Sequence, residues 1–191
     1  MEKFIFVKAY VLASLKMWFA LKYDPDQPRV PAGNETGGEW TSENVLANTK
    51  VVDENGNPKL VYHGTNNTFD KFDINRTGEN ADHPSANLGI FFADNKEEAQ
   101  QYGKNIISAY LKMDNPYTMT AAEFAEELDF WRGVRGTDRY NTSRTHFFEL
   151  TDYLISQGYD GIIIIGGDTT TYPELKFDNY IIFDTDNIIT P

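Results

Sequence analysis

Four short stretches carry side chains able to hold a polar ligand: His63-Gly64-Thr65, the run from Gly89 to Asp94, Tyr102, and Asn179. An imidazole beside a glycine can hydrogen-bond a sugar hydroxyl while the bare backbone approaches a flat amide closely. Phe91 and Tyr102 can sandwich an aromatic ring. A polar side chain on another strand can hold a second hydroxyl. Each piece also has an ordinary explanation: a histidine packed in a strand-end turn, aromatics in the core, and a strand in which Tyr180 and Ile182 alternate with Ile181 and Phe183. The order and spacing of the pieces together carry the inference.

Composition narrows the chemistry. The chain has 191 residues, room for one domain of ordinary size with an appendage. It is 40% hydrophobic and 14% aromatic, which is enough to build a core and excludes a wholly disordered chain. A net charge of -12 disfavours a general nucleic-acid or anionic-membrane surface, and it suits solubility or a basic protein partner. There are no cysteines, so disulfides, a thiol nucleophile and Cys-based zinc sites are excluded. His63, His83 and His146 stand far apart without metal-binding spacing, so no metal is expected. Neither GxxxxGK[ST] nor GxGxxG occurs.

Several elements must position these residues. Residues 1–22 read as an N-terminal amphipathic helix; Lys3, Lys8 and Lys16 interrupt its apolar run, so a membrane span is not expected. No small-residue cleavage site follows cleanly, and docking on this chain, a partner or a membrane surface is the preferred role. Residues 23–42 hold three prolines and three glycines and read as an extended linker, with Trp40 as an anchor for its end. The compact domain spans 43–191. Within it, Val51-Val52 and Lys59–His63 are strand-like around a turn at 55–58. Gly89–Ala93, Ile106–Met113, Gly161–Ile165 and Asn179–Phe183 read as strands. Lys96–Tyr102, Ala121–Trp131 and Thr145–Gln157 read as helices; Asp94 or Asn95 caps the first and Gly158 ends the last. Strands and helices mix without strict β-α-β alternation, which predicts an α+β fold.

With these pieces in place, the chain resembles the ADP-ribosyltransferases of the diphtheria-toxin and poly(ADP-ribose) polymerase type. LVYHGT (60–65) is similar to that family's first strand motif. GIFFAD (89–94) resembles its GIYFAD, and the eight-residue step from Asp94 to Tyr102 matches its second, ring-stacking tyrosine. DNYIIFDTDNI (178–188) resembles the closing NEYIVYD, with Asn179 where the family has its catalytic Glu. The likeness covers roughly residues 50–190. The segments LKMDNPY (111–117) and GYDGIIII (158–165) are similar to phage-borne members, and DPDQPRVPAGNETGGEW (24–40) resembles a linker of phage head-morphogenesis proteins and neighbouring effectors.

The resemblance implies a split antiparallel sheet with flanking helices, and NAD as substrate. It gives His63 the ribose, Gly64 the nicotinamide amide, Thr65 support of the turn, Gly89 and Phe91 the pocket wall, Tyr102 the ring stack and Asn179 the ribose hydroxyl. Asn is neutral, and losing a charge contact in the transition state typically costs several kcal/mol. Carboxylate-free members of the broad family transfer a single ADP-ribose, so long polymers are not expected. Two readings stand for Glu174, in the loop TTTYPELKF (169–177): a substitute carboxylate or acceptor contact, or a solvated loop residue. Arg76 either meets the pyrophosphate or adenine, or pairs with Asp73 or Glu79. Asp178 is expected to face away from Asn179 on the strand, and His83 to be an exposed loop histidine.

The function implied is mono-ADP-ribosyl transfer to a host macromolecule by a phage or prophage effector, with NAD hydrolysis as a close variant. A protein acceptor is preferred over nucleic acid, and the host cytoplasm over the virion as location. A different class of reading is a module that binds NAD or ADP-ribose without turnover, because of Asn179. A nuclease-type toxin is disfavoured by the acidic charge.

Overall fold

In the computed structural model the described residues are 45–79, 81–131, 136–168 and 171–191. The expected N-terminal helix, the linker, the Trp40 anchor and the start of the domain at residue 43 lie outside them. Val45–Pro191 forms one compact unit.

The unit is built on a seven-stranded sheet with three helices, an α+β arrangement. In chain order the elements are β1 (Val61–Thr65), β2 (Ile90–Ala93), α1 (Lys96–Ala99), β3 (Asn105–Leu111), β4 (Tyr117–Thr120), α2 (Ala121–Phe130), α3 (Asp138–Ser156), β5 (Gly161–Ile165), β6 (Asn179–Ile182) and β7 (Ile188–Ile189). The strand order is β4-β5-β6-β2-β1-β3-β7. All neighbours are antiparallel except β4 and β5, whose connection runs through α2 and α3 and is long enough for a parallel return.

The sheet has a seam. β1 pairs with β3 over five positions, from Val61↔Ala109 to Thr65↔Asn105. β2 pairs with β6 over four, from Ile90↔Ile182 to Ala93↔Asn179. Between β1 and β2 the paired position is Tyr62↔Ala93. Two half-sheets therefore meet at one rung.

Alternation along the strands divides the core between the two faces. Ile162, Ile164 and Ile181 pack with Phe124 and Leu128 of α2 and Phe147 and Leu154 of α3. Tyr180 and Ile182, one residue to either side of Ile181, pack with Val51, Val61, Phe92, Leu111 and Met113. β6 is buried along its whole length for this reason.

Several boundaries differ from the sequence expectation. Val51-Val52 is not a strand; Val52 makes an isolated bridge with Pro58. The helix expected over Lys96–Tyr102 stops at Ala99 and continues as a turn. α3 begins at Asp138, seven residues before Thr145, with the Thr137 side chain accepting from Tyr140 N. Its first two turns turn only Tyr140 and Ser143 inward, too little apolar signal to read as a helix. Gly158, at φ +87°, ends α3: its N–H reaches Ile155 O and that of Tyr159 reaches Leu154 O.

Candidate active site

The seam is where the motifs meet. His63, in the middle of β1, bonds through Nδ1 to the main-chain oxygen of Phe91 on β2, at 2.8 Å. A carbonyl oxygen only accepts, so Nδ1 carries the proton and Nε2 of the neutral ring is an acceptor. Burial lowers the imidazole pKa, against the opposing effect of the Phe91 carbonyl. The ring is fixed edge-on to Phe72, at 5.2 Å between centroids, and tilted against Phe92 at 5.6 Å. A half-buried, neutral imidazole that bridges the seam is suited to accept from a hydroxyl.

Gly64 is required by its neighbours. A Cβ there would lie 1.7 Å from Ala99 O, so the last turn of α1 rests on the bare backbone of β1. Gly103 meets Thr65 as closely, with a would-be Cβ 2.1 Å from Thr65 C. Thr65 Oγ1 accepts from Asn67 N and shapes the turn that follows. The two glycine contacts lock α1 and the turn carrying Tyr102 onto the end of β1.

That lock sets a residue that sequence reasoning passed over. Glu98 of α1 is 2% exposed, and its Oε1 accepts from Asn179 Nδ2 at 3.2 Å. Asn179 is 6% exposed, and its Nδ2 also faces Phe177 O at 3.0 Å and Glu174 O at 3.4 Å. With the amide nitrogen so occupied, Oδ1 is the acceptor that Asn179 can offer a ligand. Burial pushes the Glu98 carboxyl up to about 7; the Asn179 bond opposes this, and Asp94, Glu174 and Asp178 reinforce it.

The other candidates distribute as follows. The Tyr102 ring is 56% exposed. Desolvation, with the nearby Glu174 and Glu98, pushes its hydroxyl up to about 12. Glu174 lies on the 3-10 turn Pro173–Lys176, close enough to act electrostatically on both Glu98 and Tyr102. Phe91 packs its half-buried ring against the helix-side core. Asp178 does not leave the site's field: it accepts from Gly166 N at 2.8 Å and still raises Glu98. Asp94 pairs with Lys59 and accepts from Tyr180 Oη at 3.5 Å.

Two candidates stand apart. Arg76 gives its Nε to Glu79 Oε2 at 2.9 Å on an exposed turn, the pairing named as its second reading. Gly89 precedes Ile90, at the end of β2 that pairs with Ile182 and lies away from Asn179, and a Cβ there would fall 2.5 Å from Ile182 O; it serves close packing. His83 is half-buried rather than exposed, because its Nδ1 caps the turn at Pro84–Asn87 by accepting from Ser85 N.

A family model described as ADP-Ribosyltransferase in polyvalent proteins matches residues 53–188. The chain belongs to this family. The match takes in both half-sheets, the seam and Asn179. Comparison with curated proteins gives no match. Among solved structures, one titled "Crystal structure of an anti-CRISPR protein" is similar at 11% identity, covering 66% of this chain and 90% of that one, with a TM-score of 0.33. At that score the likeness carries no argument about this chain. Among the described residues no helix is long and apolar enough to cross a membrane, and no three acidic or histidine side chains group as metal ligands.

Proposed function

We propose that this chain is a mono-ADP-ribosyltransferase that uses NAD to modify a host protein, as a phage- or prophage-encoded effector. The observation that carries the reading is the family match over a seam at which His63 bonds to Phe91 O and Asn179 to Glu98, with Tyr102 close to Glu98 and Glu174. His63 Nε2 and Asn179 Oδ1 accept from ribose hydroxyls, while Tyr102 stacks on the nicotinamide. The bond from ribose C1′ to nicotinamide N1 breaks, and its electron pair leaves with neutral nicotinamide. The oxocarbenium-like ribose is attacked by a lone pair of the acceptor side chain, which gives up its proton to solvent or a nearby base. The surrounding carboxylates favour the positive charge that develops at C1′.

A second reading is a module that holds NAD without turnover. What favours it is Asn179 itself, a neutral side chain whose amide is tied to Glu98 and two carbonyls. Hydrolysis differs from transfer in its nucleophile alone. One experiment separates the three: nicotinamide release from NAD by the purified chain and by His63→Ala, with labelled NAD and host lysate alongside. Release that depends on His63, with label on a lysate protein, is the expected result. Release without label means a hydrolase. Binding without release means the module and would overturn the transferase.

A further inference from the structure

We infer that Glu98 is a positioning residue that supplies, through Asn179, the negative charge residue 179 lacks, and so makes the cleft prefer an oxidised, cationic nicotinamide ring over the reduced, neutral one. The inference rests on the reading of this cleft as an NAD site.

The geometry is specific. Glu98 is 2% exposed and accepts from Asn179 Nδ2, which leaves Oδ1 as the acceptor of that side chain. Glu98 Oε2 is buried with no hydrogen-bond partner among the described residues. A buried carboxylate in this position is unfavourable for folding unless paired with a cation. Lys59 pairs with Asp94, and no cation figures among the described groups that act on Glu98. The groups that face Glu98 are acids: Asp94 after β2, Glu174 on the 3-10 turn and Asp178 before β6, with the Tyr102 hydroxyl beside them. His63 on β1 is held neutral. A carboxylate kept in such surroundings at a cleft is a sign of function more than of folding.

The pair also explains how a neutral amide can do a charged residue's work. An anion bonded to Nδ2 polarises the amide and makes Oδ1 a stronger acceptor. The charge remains behind the amide and out of water, where its field is screened little. Because burial and the neighbouring acids hold the Glu98 carboxyl near 7, the charge is absent in mild acid and present in mild alkali.

The experiment is binding of NAD and of NADH to the full chain at about pH 6 and about pH 8.5, for wild type and for Glu98→Gln. The pyrophosphate is common to both ligands, so the difference between them isolates the ring. Wild type is expected to gain NAD affinity roughly tenfold across that range, the effect of one contact of about 1.4 kcal/mol, with NADH unchanged. Glu98→Gln, which retains an acceptor for Asn179, is expected to bind NAD with the same affinity at both pH values, losing the gain. A Glu98→Gln protein that keeps the gain for NAD overturns the inference and leaves the NAD site standing. Absence of NAD binding to wild type at either pH overturns the reading of the site, and the inference with it. Should Glu98→Gln fail to fold, wild type decides: equal pH response to NAD and NADH overturns the inference.

Discussion

His63 Nδ1 and the main-chain oxygen of Phe91 are joined at 2.8 Å across a seam where β1 and β2 share one paired position. On the proposed function the histidine has two tasks, one toward the ligand and one toward the sheet. His63→Ala is expected to lower stability by about 1–3 kcal/mol, the cost of leaving a buried carbonyl unpaired, and to abolish nicotinamide release. Thermal melts and release assays on one preparation check both. A variant that melts like wild type would remove the sheet task.

Gly64→Ala is a test of the lock between α1 and β1. Its Cβ would fall 1.7 Å from Ala99 O, a backbone atom that cannot swing aside. A loss of about 3 kcal/mol is expected, together with weaker NAD binding, because α1 carries Glu98 and leads to Tyr102. Denaturant titration gives the first and ligand-induced stabilisation the second. Wild-type values for both would mean that the contact is easily relieved.

Gly158→Ala serves as the contrast. Gly158 is left-handed at φ +87° with open space around it, and it ends α3 away from the seam. The substitution is expected to cost about 1–2 kcal/mol and to leave NAD binding unaltered. A change in NAD affinity here would show that affinity simply follows global stability.

The Glu98 carboxyl is raised from 4.5 to about 7 in the folded chain. For an acid, a raised folded-state pKa means that the folded state holds its proton more tightly than the unfolded one. Stability is then unaffected below 4.5, falls as pH rises toward 7, and stays reduced above it. Glu98→Gln is accordingly expected to be more stable than wild type at pH above 7, by on the order of 2–3 kcal/mol. The two proteins should converge in mild acid. Melting curves across pH decide; parallel curves would mean Glu98 titrates normally.

Asn179→Glu sets a second carboxylate against Glu98. Two acids in one buried site share a proton and do not both ionise. The single variant is expected to be less stable than wild type above neutrality and to release no more nicotinamide. The double variant Glu98→Gln/Asn179→Glu is expected to recover stability and to exceed the single variant in release. Equal behaviour of single and double variants would show that the two positions are independent.

The pieces of the candidate site could be picked out of the sequence because they are local. HGT, GIFFAD and the step to Tyr102 each fall in one strand or turn, and the family likeness joined them. Glu98 was not legible. It stands at the third position of a helix capped by Asn95, where an acidic residue ordinarily meets solvent and the helix N-terminus. Its burial comes from Gly64 and Gly103, which belong to other segments and draw α1 down. The adjacent Glu97 is exposed, so composition offered nothing to tell the two apart. β4 was missed for a related reason: it is an edge strand, mostly exposed, without the alternation that a half-buried strand writes into its sequence. The Asp178 side chain was expected to face away by strand alternation, which ignores how far the field of a charge reaches between part-buried groups.

The cost that Glu98 imposes on the folded state makes position 98 a historical record. Mutation alone would replace a buried carboxylate that, among the described residues, has no cation beside it with something that folds better, since many neutral side chains would do so. On the inference drawn above, what keeps the acid there is its effect on a ligand. Lineages of this domain that stop using a cationic ring should lose the acid at this helix turn before they lose His63, which the sheet itself still needs.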